Sequence, residues 1–463
     1  MLAPNRWRAV QLSRADVRRW LACAGLFAAS LVAYLTLSLS EYRRLVSPSW
    51  DLGIFDQAVR GYAHGGLPIV DIKGPGFDLL GDHFSPLLAA LAPVYAVFPD
   101  ARTLLVLQAL LISVSVVPVT SAAWRLLGAW PGVALGAAYA FSWGFQSTVA
   151  AQFHEIALAV PLVAFSLSAL VQQRYRRAAL WAVPLVLVKE DLGLTVALIG
   201  LVIFLRGARR IGVALGAFGV LSFVATILVI LPSINGQGWE YWSNLSATGH
   251  DGAFAGWGTK LGTLALLVVL SAGLALRSPL VLPAVPTLAW RFAGSVPFYW
   301  GHKYHYSAIL MPIVFLALVD AVRATRGSAR LPLRVYSRVA APVALLVALV
   351  LLPFFPLRDL ARHETYQPAA RAESAAGALA AVPDGVTVET DIGLMSHLTS
   401  RTTVYFIGNP GNPAAQYLVI DEVAGGWDAP IDDPVEYAQL SHPGHRYRLV
   451  YAKDGYDVLE RVR

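Results

Sequence analysis

Long apolar segments dominate this chain, and they decide what it can fold into. The first is Leu21–Ser40, and similar segments recur down to about residue 356. A membrane-spanning helix needs roughly 20 mostly apolar residues, and on that basis we count about eleven crossings. The composition agrees, since 56% of the residues are hydrophobic and 14% are charged, whereas soluble domains are about one-quarter charged. The sequence therefore predicts an all-α polytopic membrane protein.

Basic residues lie in short clusters between these apolar segments. Cytoplasmic loops of membrane proteins are rich in Lys and Arg, so the pattern predicts an integral plasma (inner) membrane protein with a cytoplasmic N-terminus. It leaves no continuous basic face for a nucleic acid. In this orientation nearly all acidic residues before residue 358, and every histidine there, fall on the outer side, which is therefore predicted to carry the chemistry. The basic clusters are Arg18–Arg19, Arg174–Arg177, Arg206–Arg210 and Arg323–Arg338.

The sequence divides into three predicted regions. Residues 1–19 form a cytoplasmic N-terminal segment, and residues 20–357 form the transmembrane domain with a large first outer loop at 41–102. From Arg358 onwards the chain has 15 acidic against 9 basic residues and few long apolar runs. "AAGALAAV" is typical of a helix, while "VTVET", "TVYFI", "QYLVI" and "YRLVYAKDGYDVLERV" are typical of strands, the last with a "KDG" turn. Residues 358–463 are thus predicted to form a small α/β extracytoplasmic domain.

Two aspartates open the first outer loop, in "SPSWDLGIFDQAVRG" at residues 47–61. The stretch is typical of a short amphipathic helix. Asp51 and Asp56 are five residues apart, about 140° around such a helix, so they do not share a face. A structural alternative is that Asp51 only caps the helix, with Trp50 and Phe55 spaced as a hydrophobic staple. The corresponding alternative for Asp56 is a solvated helix face.

Other polar residues of the predicted outer face are candidates for binding substrate. A lysine with two adjacent acids in an apolar run needs a partner or a function, and the alternatives for these groups are helix capping, interfacial anchoring and ion pairing. The candidates are His83 and Lys189 for donor phosphate or acceptor binding, with Asp82, His154, Glu155, Glu190 and Asp191 as supporting residues.

The last outer loop, "GSVPFYWGHKYHYSAILMP", combines cations with aromatic residues. His302, Lys303 and His305 are predicted to bind a lipid phosphate or the acceptor, with aromatic side chains packed on a polyprenyl chain or a sugar ring. An aromatic belt at the membrane surface is the structural alternative. The spacing of His302 and His305 also leaves a divalent metal open, with Asp51 or Asp82 supplying oxygen. We assign no metal ligands and no required cofactor.

Several blocks of the sequence resemble a known family. "WDLGIFDQ", "GDHFSP", "FHEIALAVPL", "VKEDLG" and "KYHYSAILMP" are similar to recurring blocks of a bacterial membrane family called domain of unknown function 2079. The chain also has a first helix, an outer loop that opens with an aspartate on an amphipathic helix, a Gly/Pro-rich loop with Asp-His-x-x-Pro, and a helix that ends in "AAWRLLG". This order of elements resembles the GT-C superfamily of multi-pass glycosyltransferases.

That resemblance implies hexosyl or pentosyl transfer from a polyprenyl-phosphate sugar donor to a glycan, lipid or protein acceptor of the cell envelope. It also implies that the general base is an acidic residue of the first outer loop. Asp51 matches that position, and Asp56 is the second acidic residue of the pair.

Two other functions remain open from the sequence. A transporter or flippase for a lipid-linked solute would carry polar residues near the bilayer midplane, often in repeated halves. No repeat is evident, but an unbroken helix through 178–206 would put Lys189, Glu190 and Asp191 at mid-membrane and favour this function. The third alternative is a non-catalytic scaffold whose outer domain binds a cell-envelope partner.

Overall fold

The computed structural model describes residues 13–46, 49–236, 238–239, 255–423, 425 and 431–462. Most of the predicted cytoplasmic segment 1–19 lies outside these residues, because the described chain begins at Ser13 and its first helix at Arg14.

Helices make up most of the chain before residue 352. The helices before residue 236 are α1 (Arg14–Arg44), α2 (Trp50–Ala63), α3 (Ala92–Val97), α4 (Ala101–Leu127), α5 (Ala129–Ala140), α6 (Trp143–Ala150), α7 (Ile156–Val171), α8 (Tyr175–Ala182), α9 (Leu192–Leu205), α10 (Arg209–Ala225) and α11 (Leu231–Asn235). The later helices are α12 (Trp257–Leu270), α13 (Val285–Ala293), α14 (Pro297–Trp300), α15 (Leu310–Arg326), α16 (Leu331–Leu351), α17 (Ala372–Ala380), α18 (Met395–Leu398) and α19 (Pro434–Ser441).

Within the described residues, four helices are long and apolar enough to cross a membrane, or five if the bent pair Pro297–Ser307 and Leu310–Arg326 is one span. The four are Arg14–Arg44, Ala101–Leu127, Arg209–Asn235 and Leu331–Phe354. Further apolar helices are shorter, and prolines interrupt two of the predicted crossings with 3₁₀ turns at Val183–Leu187 and Pro279–Ala284. The predicted count of about eleven crossings is therefore not confirmed.

The five strands of the described chain lie close to the segments that the sequence predicted. They are β1 (Thr387–Thr390), β2 (Thr403–Phe406), β3 (Tyr417–Asp421), β4 (Arg446–Lys453) and β5 (Tyr456–Val462), in the sheet order β2-β1-β3-β5-β4. β1 pairs in parallel with β2 and β3, whereas β5 pairs antiparallel with β3 and β4. The predicted "KDG" turn joins β4 to β5, with positive φ at Asp454 (51°) and Gly455 (77°), as tight hairpins require.

The C-terminal region packs on the helical region through contacts with helix α2. Two polar residues of this helix, Gln57 and Arg60, and the preceding Ser49 reach backbone carbonyls of the C-terminal region: Ser49 Oγ donates to Ile392 at 2.7 Å, and Gln57 Nε2 donates to Val404 at 2.9 Å. Arg60 Nη1 donates to two further carbonyls at 2.8 and 2.6 Å, those of Thr399 and Thr402. The Trp50 ring also meets Phe406 edge-on, with centroids 4.8 Å apart. The sheet therefore fixes the helix on which both predicted catalytic aspartates lie.

Candidate functional site

Asp51 lies in the first turn of α2 and is the accessible one of the two aspartates. The helix begins at Trp50 with Ser49 at the N-cap position, so the alternative that Asp51 caps the helix is wrong. Residues 52–59 of the helix, which include Leu52 and Phe55, are buried. By contrast, 46% of the Asp51 side chain is exposed. Its carboxylate therefore faces open space beside a rigid helix.

That open space is a cavity of about 220 Å³ between α2, the loop before α3, and the ends of α7, α9 and α13. Segments far apart in the sequence meet here. The cavity is lined by Trp50, Asp51, Ile54, Phe55, Lys73, Leu79, Asp82, His83, His154, Glu155, Lys189, Glu190, Asp191, Trp239, Trp290, Gly294, Tyr299, His305 and Tyr306. The structure thus brings together Asp51, all five predicted supporting residues, and three of the five residues predicted to bind phosphate or acceptor.

His154 is the nearest polar neighbour of Asp51. Its Nε2 atom lies 3.1 Å from Asp51 Oδ2, and its Nδ1 atom lies 3.2 Å from the Gln152 carbonyl. Because the carbonyl can only accept, Nδ1 carries a proton, and Nε2 is left to face the carboxylate. The His305 ring stacks on His154 with centroids 3.4 Å apart. These contacts hold the imidazole beside Asp51, although Nε2 makes no hydrogen bond with the carboxylate in the described structure.

A buried ion pair stands behind Asp51. Lys189 Nζ donates to Glu155 Oε1 at 2.8 Å, and the two side chains are 13% and 2% exposed. Burial alone would raise the pKa of Glu155, but Lys189 and the nearby histidines outweigh it and lower that pKa to about 2. Burial likewise disfavours the charge on Lys189, yet Glu155 and the adjacent acids raise its pKa. Both groups therefore remain charged at neutral pH.

Residues 189–191 lie in a break between helices. The helix does not run unbroken through 178–206: α8 ends at Ala182, a 3₁₀ turn follows, and α9 begins at Leu192. All three charged side chains of the break line the cavity. The unbroken helix that would have favoured a transporter is therefore absent from this part of the described chain.

His83 lies between two carboxylates of the cavity. Its Nδ1 atom lies 3.4 Å from Glu190 Oε1 and its Nε2 atom 3.9 Å from Asp82 Oδ2. Burial disfavours the imidazolium, but these two carboxylates outweigh it and raise the pKa of His83. Asp82 also accepts from Lys73. The carboxylates and cations of this wall form a continuous network rather than isolated pairs.

Asp191 differs from its neighbours. Burial, followed by repulsion from Glu190, raises the pKa of Asp191 to about 6, even though Trp290 Nε1 donates to its Oδ2 at 2.9 Å. The site of Asp191 therefore favours its protonated form more than water does.

Asp56 lies elsewhere. It is fully buried on the opposite side of α2, where its Oδ1 accepts from the Tyr95 hydroxyl at 2.8 Å. Burial raises the pKa of Asp56 to about 7. The solvated-face alternative for this residue is wrong, and the structure does not bring Asp56 into the cavity with Asp51.

His302 and Lys303 line a second cavity of about 360 Å³, on the other side of Asp51. Its wall is completed by the end of the last spanning helix, at Phe354, Phe355 and Pro356. Trp50 and Asp51 line both cavities, so the carboxylate stands at their junction. Since His302 and His305 line different cavities, the structure does not assemble the metal site left open above, and the described residues contain no group of three or more His, Cys, Asp or Glu arranged to hold a metal ion.

Sequence reasoning missed three residues that shape the site. Lys73 and Trp290 line the first cavity and contact its acids. Arg291 is fully buried and donates to the carbonyls of Tyr299 and Gly301 at 2.7 Å, which fixes the last outer loop. One signal in the sequence marked Lys73, its position in the Gly/Pro-rich loop nine residues before Asp82. No local pattern marked Trp290 or Arg291.

The fold and family can now be compared with known proteins. Residues 41–458 match the family described as predicted membrane protein (DUF2079). A comparison with curated proteins finds no match.

Two solved structures share the fold. ArnT from Cupriavidus metallidurans bound to undecaprenyl phosphate is 15% identical with a TM-score of 0.56, covering 95% of this chain and 97% of ArnT. The same protein in the apo state is 15% identical with a TM-score of 0.52, covering 94% and 97%. The resemblance stated from the sequence is therefore confirmed: the chain belongs to the DUF2079 family of membrane proteins, and its fold is similar to that of ArnT.

Proposed function

We propose that this protein is a membrane glycosyltransferase that transfers a sugar from a polyprenyl-phosphate donor to a cell-envelope acceptor at the outer membrane surface. The observation that carries the proposal is the position of Asp51, an accessible carboxylate at the junction of two cavities. Transfer between two large substrates needs a base where they meet, and this is where Asp51 stands. The fold similarity to a protein that binds undecaprenyl phosphate supports the lipid part of the proposal.

The proposed step is a displacement at the anomeric carbon of the sugar. The acceptor hydroxyl attacks that carbon, the bond from carbon to the phosphate oxygen breaks, and the lipid phosphate leaves with the electron pair. Asp51 takes the acceptor proton as general base, a role that contributes about 10²- to 10⁴-fold to a rate. His154, 3.1 Å from Asp51, orients the carboxylate.

Charge decides which cavity suits the donor phosphate. Five carboxylates line the first cavity with two lysines, and both lysines already pair with a carboxylate. In the second cavity Lys303 makes no ion pair with any described residue. We therefore assign the lipid phosphate to Lys303 and His302, with the polyprenyl chain on Phe354 and Phe355, and the acceptor to the first cavity.

In this proposal His83, Lys189 and His305 bind or position the acceptor, because they line the first cavity. Asp82, Glu155, Glu190 and Asp191 support them through the contacts described above. Asp56 becomes a structural residue that anchors α2. The C-terminal region, residues 358–463, lies on the outer side with Asp51, since it docks directly on α2.

The test is a donor panel. Purified protein in lipid nanodiscs is offered radiolabelled polyprenyl-phosphate sugars, both hexosyl and pentosyl, with cell-envelope lipid and glycan acceptors. We expect one donor to bind and to lose its sugar to an acceptor, with release of polyprenyl phosphate. If no donor in the panel binds and none is turned over, the proposal is contradicted and a transporter or a scaffold is favoured.

A further inference from the structure

A third cavity, of about 280 Å³, lies at the opposite end of the helices that carry the candidate site. On α4, Gln108 contacts the segment before α7 at the candidate site, whereas Arg125 lines this third cavity. The 17 residues between them span about 25 Å at 1.5 Å per residue. The hydrocarbon core of a bilayer is about 30 Å thick, so the cavity lies near the other membrane surface.

The cavity is strongly cationic. Arg125, Arg174 and Arg177 line it, and no Asp or Glu is among its described lining residues. None of the three arginines forms an ion pair with a carboxylate elsewhere in the described chain, although other arginines at this end do, such as Arg206 with Asp320 at 2.5 Å. The charge of Asp16 also reaches Arg125, but Asp16 already pairs with Arg19, and Arg19 and Arg174 act on Arg125 in the opposite sense. The neighbouring guanidinium groups therefore repel one another, and a bound anion relieves that repulsion.

A buried hydroxyl adds a second polar contact. Ser168 lines the cavity and is 4% exposed, and its Oγ atom has no hydrogen-bond partner in the described structure. A buried hydroxyl without a partner is unfavourable, because it has lost its hydrogen bonds to water. A phosphate oxygen in the cavity would satisfy it.

Apart from Ser121 and Gln172, the rest of the wall is apolar and aromatic. Phe165 and Trp181 stack with centroids 4.6 Å apart, and Trp20, Val117 and Pro118 complete the surface. Trp20 and Trp181 are 45% and 41% exposed, as is typical of tryptophans at the level of lipid headgroups. A free phosphate ion has no apolar groups that could pack on this wall, whereas the glycerol backbone and upper acyl chains of a lipid pack well on it.

We propose that this cavity binds the headgroup of an anionic phospholipid in the leaflet opposite the candidate active site. The arginines hold the phosphate, Ser168 donates to it, and the aromatic wall packs the lipid below the headgroup. Basic pockets between transmembrane helices bind anionic headgroups in this way. The proposal does not depend on the glycosyltransferase function.

The experiment compares lipids by the thermal stability of the purified full-length protein in neutral detergent micelles. Dioleoylphosphatidylglycerol, dioleoylphosphatidylcholine and inorganic phosphate are titrated separately. We expect phosphatidylglycerol to raise Tm in a saturable way, and the other two probes not to. Equal stabilisation by phosphatidylcholine, or stabilisation by inorganic phosphate at the same concentration, would overturn the assignment to an anionic lipid.

Variants locate the effect. Arg174→Gln with Arg177→Gln should weaken the apparent affinity for phosphatidylglycerol about 25-fold, at about fivefold per arginine. The matched control is Arg209→Gln with Arg210→Gln, which removes two exposed arginines from the same end of the helices but outside the cavity and should stay within about twofold of wild type. Arg125→Gln provides an independent test if the double variant folds poorly. Equal effects of the cavity and control variants would overturn the proposal.

Discussion

The buried pair of Lys189 and Glu155 gives the most quantitative prediction. Replacing Lys189 by Met keeps the apolar length of the side chain and removes its charge, so Glu155 is left ionised and 98% buried. Burial raises the pKa of Glu155, but Lys189, followed by His83 and His154, outweighs it and lowers that pKa from 4.5 to about 2. At 1.36 kcal/mol per pH unit, this corresponds to about 3 kcal/mol. We therefore expect Lys189→Met to lower the free energy of unfolding by about 3–5 kcal/mol.

The pH dependence follows from the direction of that pKa. In the wild type the stabilisation is complete above the unfolded pKa of Glu155 and is lost as pH falls through about 2. In Lys189→Met, burial is no longer opposed by the lysine, so the pKa of Glu155 rises and protonation relieves the unpaired charge as the pH falls. The deficit of the variant relative to wild type should consequently shrink as the pH falls from 7 toward 4.

The assay is denaturant unfolding in detergent micelles at several pH values. Adding Glu155→Gln to Lys189→Met removes the unpaired charge and should recover much of the loss. The matched control is Lys453→Met, which breaks an exposed Lys–Glu contact of 2.9 Å and should cost far less because water screens it. A loss below about 1 kcal/mol, with no recovery on adding Glu155→Gln, would refute the reasoning.

Three further changes test other parts of the account. The raised pKa of Asp56 makes its ionisation costly in the fold, so the stability of the wild type should fall as the pH rises from about 4 to 7, by up to about 1.4 kcal/mol per pH unit. Asp56→Asn should remove this fall, and unfolding at pH 5 and 8 measures it. Arg60→Gln should loosen the C-terminal region, since it loses the bonds to Thr399 and Thr402, and faster hydrogen exchange in β2 would report it. Lys303→Gln should raise the KM for the donor about 10- to 100-fold with little change in kcat, the range for a lost charge-assisted hydrogen bond; an unchanged KM would remove Lys303 from the donor site.

The sequence predicted elements whose signals are local. The strands of the C-terminal sheet alternate polar and apolar residues or are rich in β-branched and aromatic residues. The turn before Tyr456 needs positive φ angles, which Asp454 and Gly455 supply. The amphipathic helix with Asp51 was also predictable, because its apolar face repeats at helical spacing. The capping alternative placed the N-cap two residues too late, since Ser49 and Asp51 are both good N-cap residues.

The arrangement of the site could not be predicted in the same way. Lys73 meets Asp82, and Trp290 meets Asp191, through contacts that join separate segments and leave no periodic trace. The spacing on α2 separates Asp56 from Asp51, but the contact of Asp56 with Tyr95 joins separate segments and is encoded by no local pattern. The crossing count was not confirmed for a related reason: prolines in apolar runs, such as Pro184 and Pro283, end α-helices without ending the hydrophobic stretch.

The most direct test of the central claim is a single-turnover measurement on Asp51. Wild type, Asp51→Asn and the exposed control Asp432→Asn are each saturated with the donor found in the panel, and sugar transfer is followed after addition of acceptor. Asparagine keeps the shape of the side chain but cannot take a proton, so the account predicts unchanged donor binding and a transfer rate at least about 100-fold lower, while the control matches wild type. Transfer at the wild-type rate by Asp51→Asn would contradict the assignment of Asp51 as the base.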